Sequence, residues 1–157
     1  MFSRNEVETR KEQVNVFTYV VIADRTDVRD NLRIFLTFDL KLHSLQDYEI
    51  WKNNISQIVS YNCQGLNSVE KRRNVFDYLI FKNCNIYCLQ DIHFTKNDET
   101  AIRYQWGGEC TFNTFASNKR GVAILLSNNY KYKILNTKKD DCGNLLGVDI
   151  EIKVKNK

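Results

Sequence analysis

The chain has no proline in its 157 residues, where average usage would supply several. Nothing in the composition accounts for that lack. It does remove one of the stronger boundary signals between elements. No run approaches the roughly 18 consecutive apolar residues that a membrane-spanning helix needs. A transmembrane helix is therefore excluded, and no membrane partner is expected. The opening stretch MFSRNEVETRKEQ has no apolar core of the kind a signal peptide carries. The expected setting is intracellular, cytoplasmic or nuclear, and not secreted. Internal repeats and low-complexity tracts are also missing. The cysteine count is five, an odd number, which argues for reduced thiols acting as small core residues. Cys84 and Cys88 lie close together, but no second Cys/His pair stands at zinc-like spacing, so a structural zinc site is not expected.

What is present suits one soluble domain with a real core. Hydrophobic residues make up 43% and charged residues 27%, an ordinary globular balance. The formal charge of +4 is unevenly placed. Residues 1–54 carry 8 Lys/Arg against 9 Asp/Glu, while residues 55–157 carry 15 against 10. A basic second part is compatible with a phosphate-bearing partner.

Hydrophobic patterning divides the chain near residue 55. Before it, VNVFTYVVI (14–22) and LRIFLTFDLKL (32–42) read as strands joined by the polar ADRTDVRDN, an N-terminal extension with the pattern of a β-hairpin. After it, QIVSY (57–61) reads as a strand and NCQGLNS as a loop in which Gly65 supplies backbone freedom. Asn67 reads as a helix N-cap with Glu70 as its capping-box partner. The helix is expected to run to about Lys82 and to bury Val75, Phe76, Leu79 and Ile80. CNIYCLQ (84–90) is the next strand, giving a βαβ unit with a parallel pair. Thr95 or Asn97 then caps a short helix over DETAIRYQW. Strand-like runs follow at 110–117, 121–127, 131–136 and 145–152, read as an antiparallel meander. The fold class is α/β.

Two strands in this plan end in polar residues. If 57–61 and 86–90 are parallel neighbours, Asn62 and Asp91 share the carboxyl edge where open α/β sheets place ligands. An Asp there suits Mg²⁺, which takes hard oxygen donors and commonly needs only one or two carboxylates. An Asn beside it orients that carboxylate or donates to a phosphate oxygen. The plainer alternative is turn chemistry, because Asn and Asp favour strand ends for their local hydrogen bonds.

SYNCQGLNS with EKRRNVFDYL, then IYCLQDIHFT, YQWGG, SNKRGVAILL and LGVDIEI follow one another in an order and spacing that resemble a known family. From about Ile55 to Ile152 the chain is similar to the amino-terminal half of the endonuclease/exonuclease/phosphatase superfamily, most of all to the endonuclease domain of LINE-type (non-LTR) retrotransposons. The resemblance implies a deoxyribonuclease-like α/β/β/α sandwich of four layers, here partial and incomplete at the C-terminus. It implies Mg²⁺-dependent phosphodiester hydrolysis, with Mn²⁺ as a substitute metal, DNA as partner and no small-molecule cofactor. Asn62 matches the family Asn of the first strand, as a catalytic and metal-side residue. Asp91 stands where the family usually has its metal-binding Glu. His93 matches the His that follows two residues later in the retrotransposon branch, as a catalytic candidate with a substrate-side or a structural role.

There are two departures. Asp91 is one methylene shorter than Glu. The family's second-half residues, namely a tyrosine, an Asp-x-Asn motif and a closing Asp-His pair, have no match here. Asp39 and His43 precede 57–61, the strand that matches the family's first, and do not fit the closing pair. One carboxylate and one amide make a poor Mg²⁺ site, and hydrolysis also needs an activated nucleophile and stabilised oxyanion charge. The expectation is therefore a truncated endonuclease domain, inactive as this isolated chain, with a non-catalytic nucleic-acid-binding remnant as the alternative. Candidate phosphate contacts are Lys71, Arg72 and Arg73 in the first helix turn and Lys119 and Arg120 in the turn before GVAILL. Each has a solvated charged face as its plain reading. Tyr104 and Trp106 are candidates for base stacking, although aromatics at helical spacing more often fill a core.

Overall fold

The computed structural model describes residues 14–22, 57–129 and 132–153. The second strand expected in the extension, 32–42, lies outside the described residues. Seven strands and two α-helices are present among those described, an α/β arrangement with two sheets. In chain order they are β1 (Val14–Ile22), β2 (Ile58–Asn62), α1 (Val69–Lys82), β3 (Ile86–Gln90), a 3₁₀ turn (Lys96–Asp98), α2 (Glu99–Trp106), β4 (Cys110–Asn113), β5 (Val122–Leu126), β6 (Tyr132–Lys139) and β7 (Leu145–Lys153).

The four-stranded sheet runs β2-β3-β5-β4. β2 and β3 are parallel, as the strand–helix–strand pattern implied, with Asn62 opposite Gln90. β5 is antiparallel to both β3 and β4. The three-stranded sheet runs β1-β7-β6, all antiparallel. The expected continuous meander is thus broken in two. β4–β5 and β6–β7 are antiparallel pairs, but the chain changes sheets between β5 and β6. A uniformly apolar strand such as VAILL does not reveal which sheet its successor will join, because both of its faces are buried.

Period-2 alternation sorts the core into two layers. Tyr87 and Leu89 of β3, Ala123 and Leu125 of β5, and Cys110 and Phe112 of β4 join the helix side chains Val75, Phe76, Leu79, Ile102 and Trp106. The alternate residues Ile86, Cys88, Val122, Ile124 and Leu126 pack instead against Leu146, Val148 and Ile150 of β7. Helices therefore cover one face of the four-stranded sheet and the second sheet covers the other. β3 is consequently buried at every position, while β2, at the edge of its sheet, is only half-buried through Tyr61. Each fully buried large side chain in these layers contributes roughly 1.5–3 kcal/mol.

α1 starts one residue later than its sequence suggests. Ser68 is the N-cap, its Oγ accepting from Lys71 N at 3.3 Å. Asn67 instead donates its Nδ2 to Ser117 O, tying the helix start to the loop before β5. Ile80 is 58% exposed and lies off the buried stripe of Val75, Phe76 and Leu79. Trp106 is core: its ring meets Phe76 and Tyr87 edge-on and its Nε1 donates to Leu126 O at 3.0 Å. The Trp106 stacking expectation fails for that reason, whereas Tyr104 is 90% exposed. Among the described residues no helix is long and apolar enough to cross a membrane.

Candidate functional site

The parallel ladder of β2 and β3 does not stop where the strands do. Cys63 N donates to Gln90 O (2.9 Å), Gly65 N to Asp91 O (2.7 Å) and Leu66 N to Ile92 O (2.9 Å). On the other side, Ile92 N donates to Gly121 O (3.1 Å) and His93 N to Arg120 O (2.9 Å). Gly121 N in turn donates to Gly143 O of the β6–β7 turn at 3.0 Å. Four loop segments are thereby laced into one rim at the carboxyl ends of β2 and β3. The rim is held by main-chain bonds, so the side chains on it have fixed roots.

Asn62 ends β2 opposite Gln90, and Asp91 follows Gln90, so both lie on this rim. The side chain of Asn62 is exposed, and its Oδ1 accepts from Gln64 N at 3.1 Å, a local Asx-type turn. Asp91 is half-buried. Its Oδ1 accepts from Arg120 N at 3.2 Å and stands 2.9 Å from His93 Nε2. That His–Asp approach lacks the direction of a hydrogen bond, and Nε2 is buried with no hydrogen-bond partner. The imidazole lies over Gly65: a Cβ added there would fall 2.7 Å from His93 Nδ1. Gly65, at φ +83, is thus required twice, by its backbone and by its neighbour.

The basic candidates separate. Arg72 is structural: Nη1 donates to Leu66 O (2.8 Å) and Asn67 O (2.9 Å), and Nε donates to Gln105 Oε1 (3.1 Å). Lys71 reaches the rim, its Nζ donating to Gln64 O at 3.0 Å. Arg73 is exposed on α1. Arg120 belongs to the rim through its backbone, and its Nη1 reaches Cys142 O at 3.4 Å. Lys119 is exposed beside it. The structure therefore brings Asn62, Asp91, His93, Lys71, Lys119 and Arg120 to one edge, while the Arg72 guanidinium is committed beneath it.

Cys63 sits under the same rim, but burial pushes its thiol up to about 12 despite the nearby Lys71. It is not a thiolate nucleophile at neutral pH. Sequence reasoning missed Phe115, which is 42% exposed and has Lys119 Nζ at 5.6 Å and Arg120 Cζ at 5.1 Å from its ring centroid. Its signal was an aromatic four and five residues ahead of two adjacent cations. Also missed was Asn113, whose Nδ2 donates to Asp140 O (3.0 Å), Asp140 Oδ1 (2.7 Å) and Leu145 O (2.8 Å). Asn113 fixes the β6–β7 turn against the four-stranded sheet. Among the described residues no group of three or more His, Cys, Asp or Glu side chains is assembled to hold a metal ion. Compared with models of known protein families, the chain matches none.

Proposed function

We propose that the rim is the Asn62–Asp91 part of a Mg²⁺-dependent DNA phosphodiesterase site of the endonuclease/exonuclease/phosphatase type. The observation that carries this reading is the register of β2 and β3, which ends Asn62 opposite Gln90, the residue before Asp91, at the carboxyl edge of a parallel pair. Helices on one face and a second sheet on the other support the partial deoxyribonuclease-like sandwich. The donor chemistry suits the metal: a carboxylate and a carboxamide oxygen are hard ligands, and Mg²⁺ keeps its remaining positions for water and substrate phosphate. When bound, the metal supplies charge stabilisation at the phosphate oxygens. Asp91 would be the anionic ligand and Asn62 the neutral one. His93 would orient Asp91 or face the substrate. Lys71, Lys119 and Arg120 surround the rim with positive charge suited to the DNA backbone.

The reading is tested in two steps. Mn²⁺ binding followed by electron paramagnetic resonance should be lost in Asp91→Ala and weakened in Asn62→Ala. Supercoiled plasmid should be nicked with Mg²⁺, spared with EDTA and spared by Asp91→Ala if the rim cleaves as well as binds. Unchanged Mn²⁺ binding in Asp91→Ala sinks the metal assignment.

A second reading has its own observation. The Asn62 carboxamide oxygen already serves a turn, and Asp91 Oδ1 already receives Arg120 N. A rim so engaged fits a non-catalytic nucleic-acid-binding remnant. Salt-dependent DNA binding without cleavage, insensitive to Asp91→Ala, distinguishes it.

A further inference from the structure

We propose that Phe115, Lys119 and Arg120 form a platform on which one unpaired nucleobase stacks while the two cations take its flanking phosphates. The inference rests on the nucleic-acid part of the reading above and not on the metal chemistry. Phe115 is too exposed to be core, yet its base is anchored: a Cβ added at Gly143 would fall 2.6 Å from Phe115 Cβ, so the ring is rooted on the β6–β7 turn. The loop that carries it is fixed at several points. Ala116 and Lys119 form an antiparallel bridge, Asn67 holds Ser117 O, and Arg120 is bonded through its backbone to Asp91 and His93. Arg120 therefore links ring and rim. Its amide serves the Asp91 carboxylate, and its guanidinium lies 5.1 Å from the Phe115 centroid.

The chemistry selects the partner. An apolar protein surface seated on this ring would have to desolvate two cations. A nucleotide offers a π-face for the ring and anionic oxygens for the cations, so lysine and arginine exchange a cation–π contact for a phosphate contact. The base must be unpaired, because within a duplex both of its faces are covered by neighbouring pairs. The platform also stands beside the rim, joined to it through the Arg120 backbone.

The test is fluorescence anisotropy in EDTA, so that binding is read without cleavage, with labelled oligothymidylate of about 12 nucleotides and a duplex of equal length. Phe115→Leu keeps an apolar side chain against Gly143 but removes the aromatic face. It should weaken oligothymidylate binding by about 10-fold, in line with the value of one stacked base. Phe115→Trp should retain binding, and duplex affinity should change by less than about twofold in both. Lys119→Ala should lower the salt slope on the single strand by about 0.7, one phosphate contact. If wild type binds the single strand and Phe115→Leu binds it equally well, the platform is wrong and the nucleic-acid reading stands. Equal loss on duplex and single strand overturns the platform as well. If wild type binds neither probe, the nucleic-acid reading falls and takes the platform with it.

Discussion

Replacing Gly65 by Ala perturbs the rim at its tightest point. Two effects add. At φ +83 an alanine pays the ordinary cost of the left-handed region, about 1–2 kcal/mol. The new Cβ would also stand 2.7 Å from His93 Nδ1 and 3.4 Å from its Cγ and Cε1. The bond from His93 N to Arg120 O fixes the backbone from which the imidazole extends, so relief requires turning the ring away from Asp91. Overpacking of that kind adds about 1–3 kcal/mol. The total, about 2–5 kcal/mol, is a large fraction of a domain's stability.

A second glycine supplies the control. Gly107, the C-cap of α2, has φ +75 and nothing within 4 Å of an added Cβ. Gly107→Ala should therefore show backbone strain alone. Urea unfolding followed by circular dichroism should place Gly65→Ala well below Gly107→Ala in stability. In a His93→Ala background the cost of Gly65→Ala should fall to that of Gly107→Ala, a coupling of about 1–3 kcal/mol. Equal costs for the two glycines, or no coupling to His93, would refute the claim that the imidazole rests on Gly65.

Three further outcomes are expected. Asn113→Ala should cost about 1–3 kcal/mol in urea unfolding, because three acceptors on the β6–β7 turn lose one donor; a neutral result would detach that turn from the first sheet. A thiol reagent at neutral pH should modify Cys142 quickly, since the other four cysteines are buried, with burial pushing Cys88 up to about 12 and Cys110 to about 11; Cys142→Ser should abolish the fast phase, and two fast thiols would contradict the packing. Asp98 is held below the ordinary carboxylate range by hydrogen bonds from the Thr95 side chain and backbone. Its folded value is depressed, so its contribution is present above about pH 4 and is lost as pH falls through the folded value. Asp98→Asn should flatten that acid limb of the stability curve, and an unchanged limb would remove Asp98 as its source.

How much of this was legible depends on whether a signal was local. The parallel pair, α1 and its buried Val75, Phe76 and Leu79 follow from periodicity, which the chain expresses within a few residues. Ile80 fails because its position on the helix sits just outside the buried stripe, a matter of a few tens of degrees. Ser68 takes the cap from Asn67 because Asn67 has a distant partner, Ser117, which no local pattern announces. The change of sheet after β5 is likewise non-local. At the rim, Asn62 and Asp91 were legible as strand ends, but the lacing through Arg120, Gly121 and Gly143 joins residues far apart in sequence. Arg72 shows the same limit: its position in the first helix turn suggested a phosphate contact, while its guanidinium is used on the carbonyls of Leu66 and Asn67.

The distribution of backbone strain bears on why this edge exists. Among the described residues five non-glycine positions have positive φ: Gln64, Asn83, Asp91, His93 and Arg120. Asn83 ends α1, where a left-handed residue is ordinary. The other four all lie on the rim. Each costs about 1–2 kcal/mol relative to an unstrained conformation, and none is a glycine that would lower the cost. A connection that only had to turn the chain could use glycine at such positions, as Gly65 and Gly121 do alongside them. Keeping Asp, His and Arg in left-handed backbone is worth that cost when the side chains themselves are needed where the strained backbone puts them. The i, i+2 spacing of Asp91 and His93 around the buried Ile92 has that effect, since it brings carboxylate and imidazole to 2.9 Å on one side of the strand end. Strain concentrated on polar residues at the carboxyl edge of a parallel pair is the backbone arrangement that the proposed site would use.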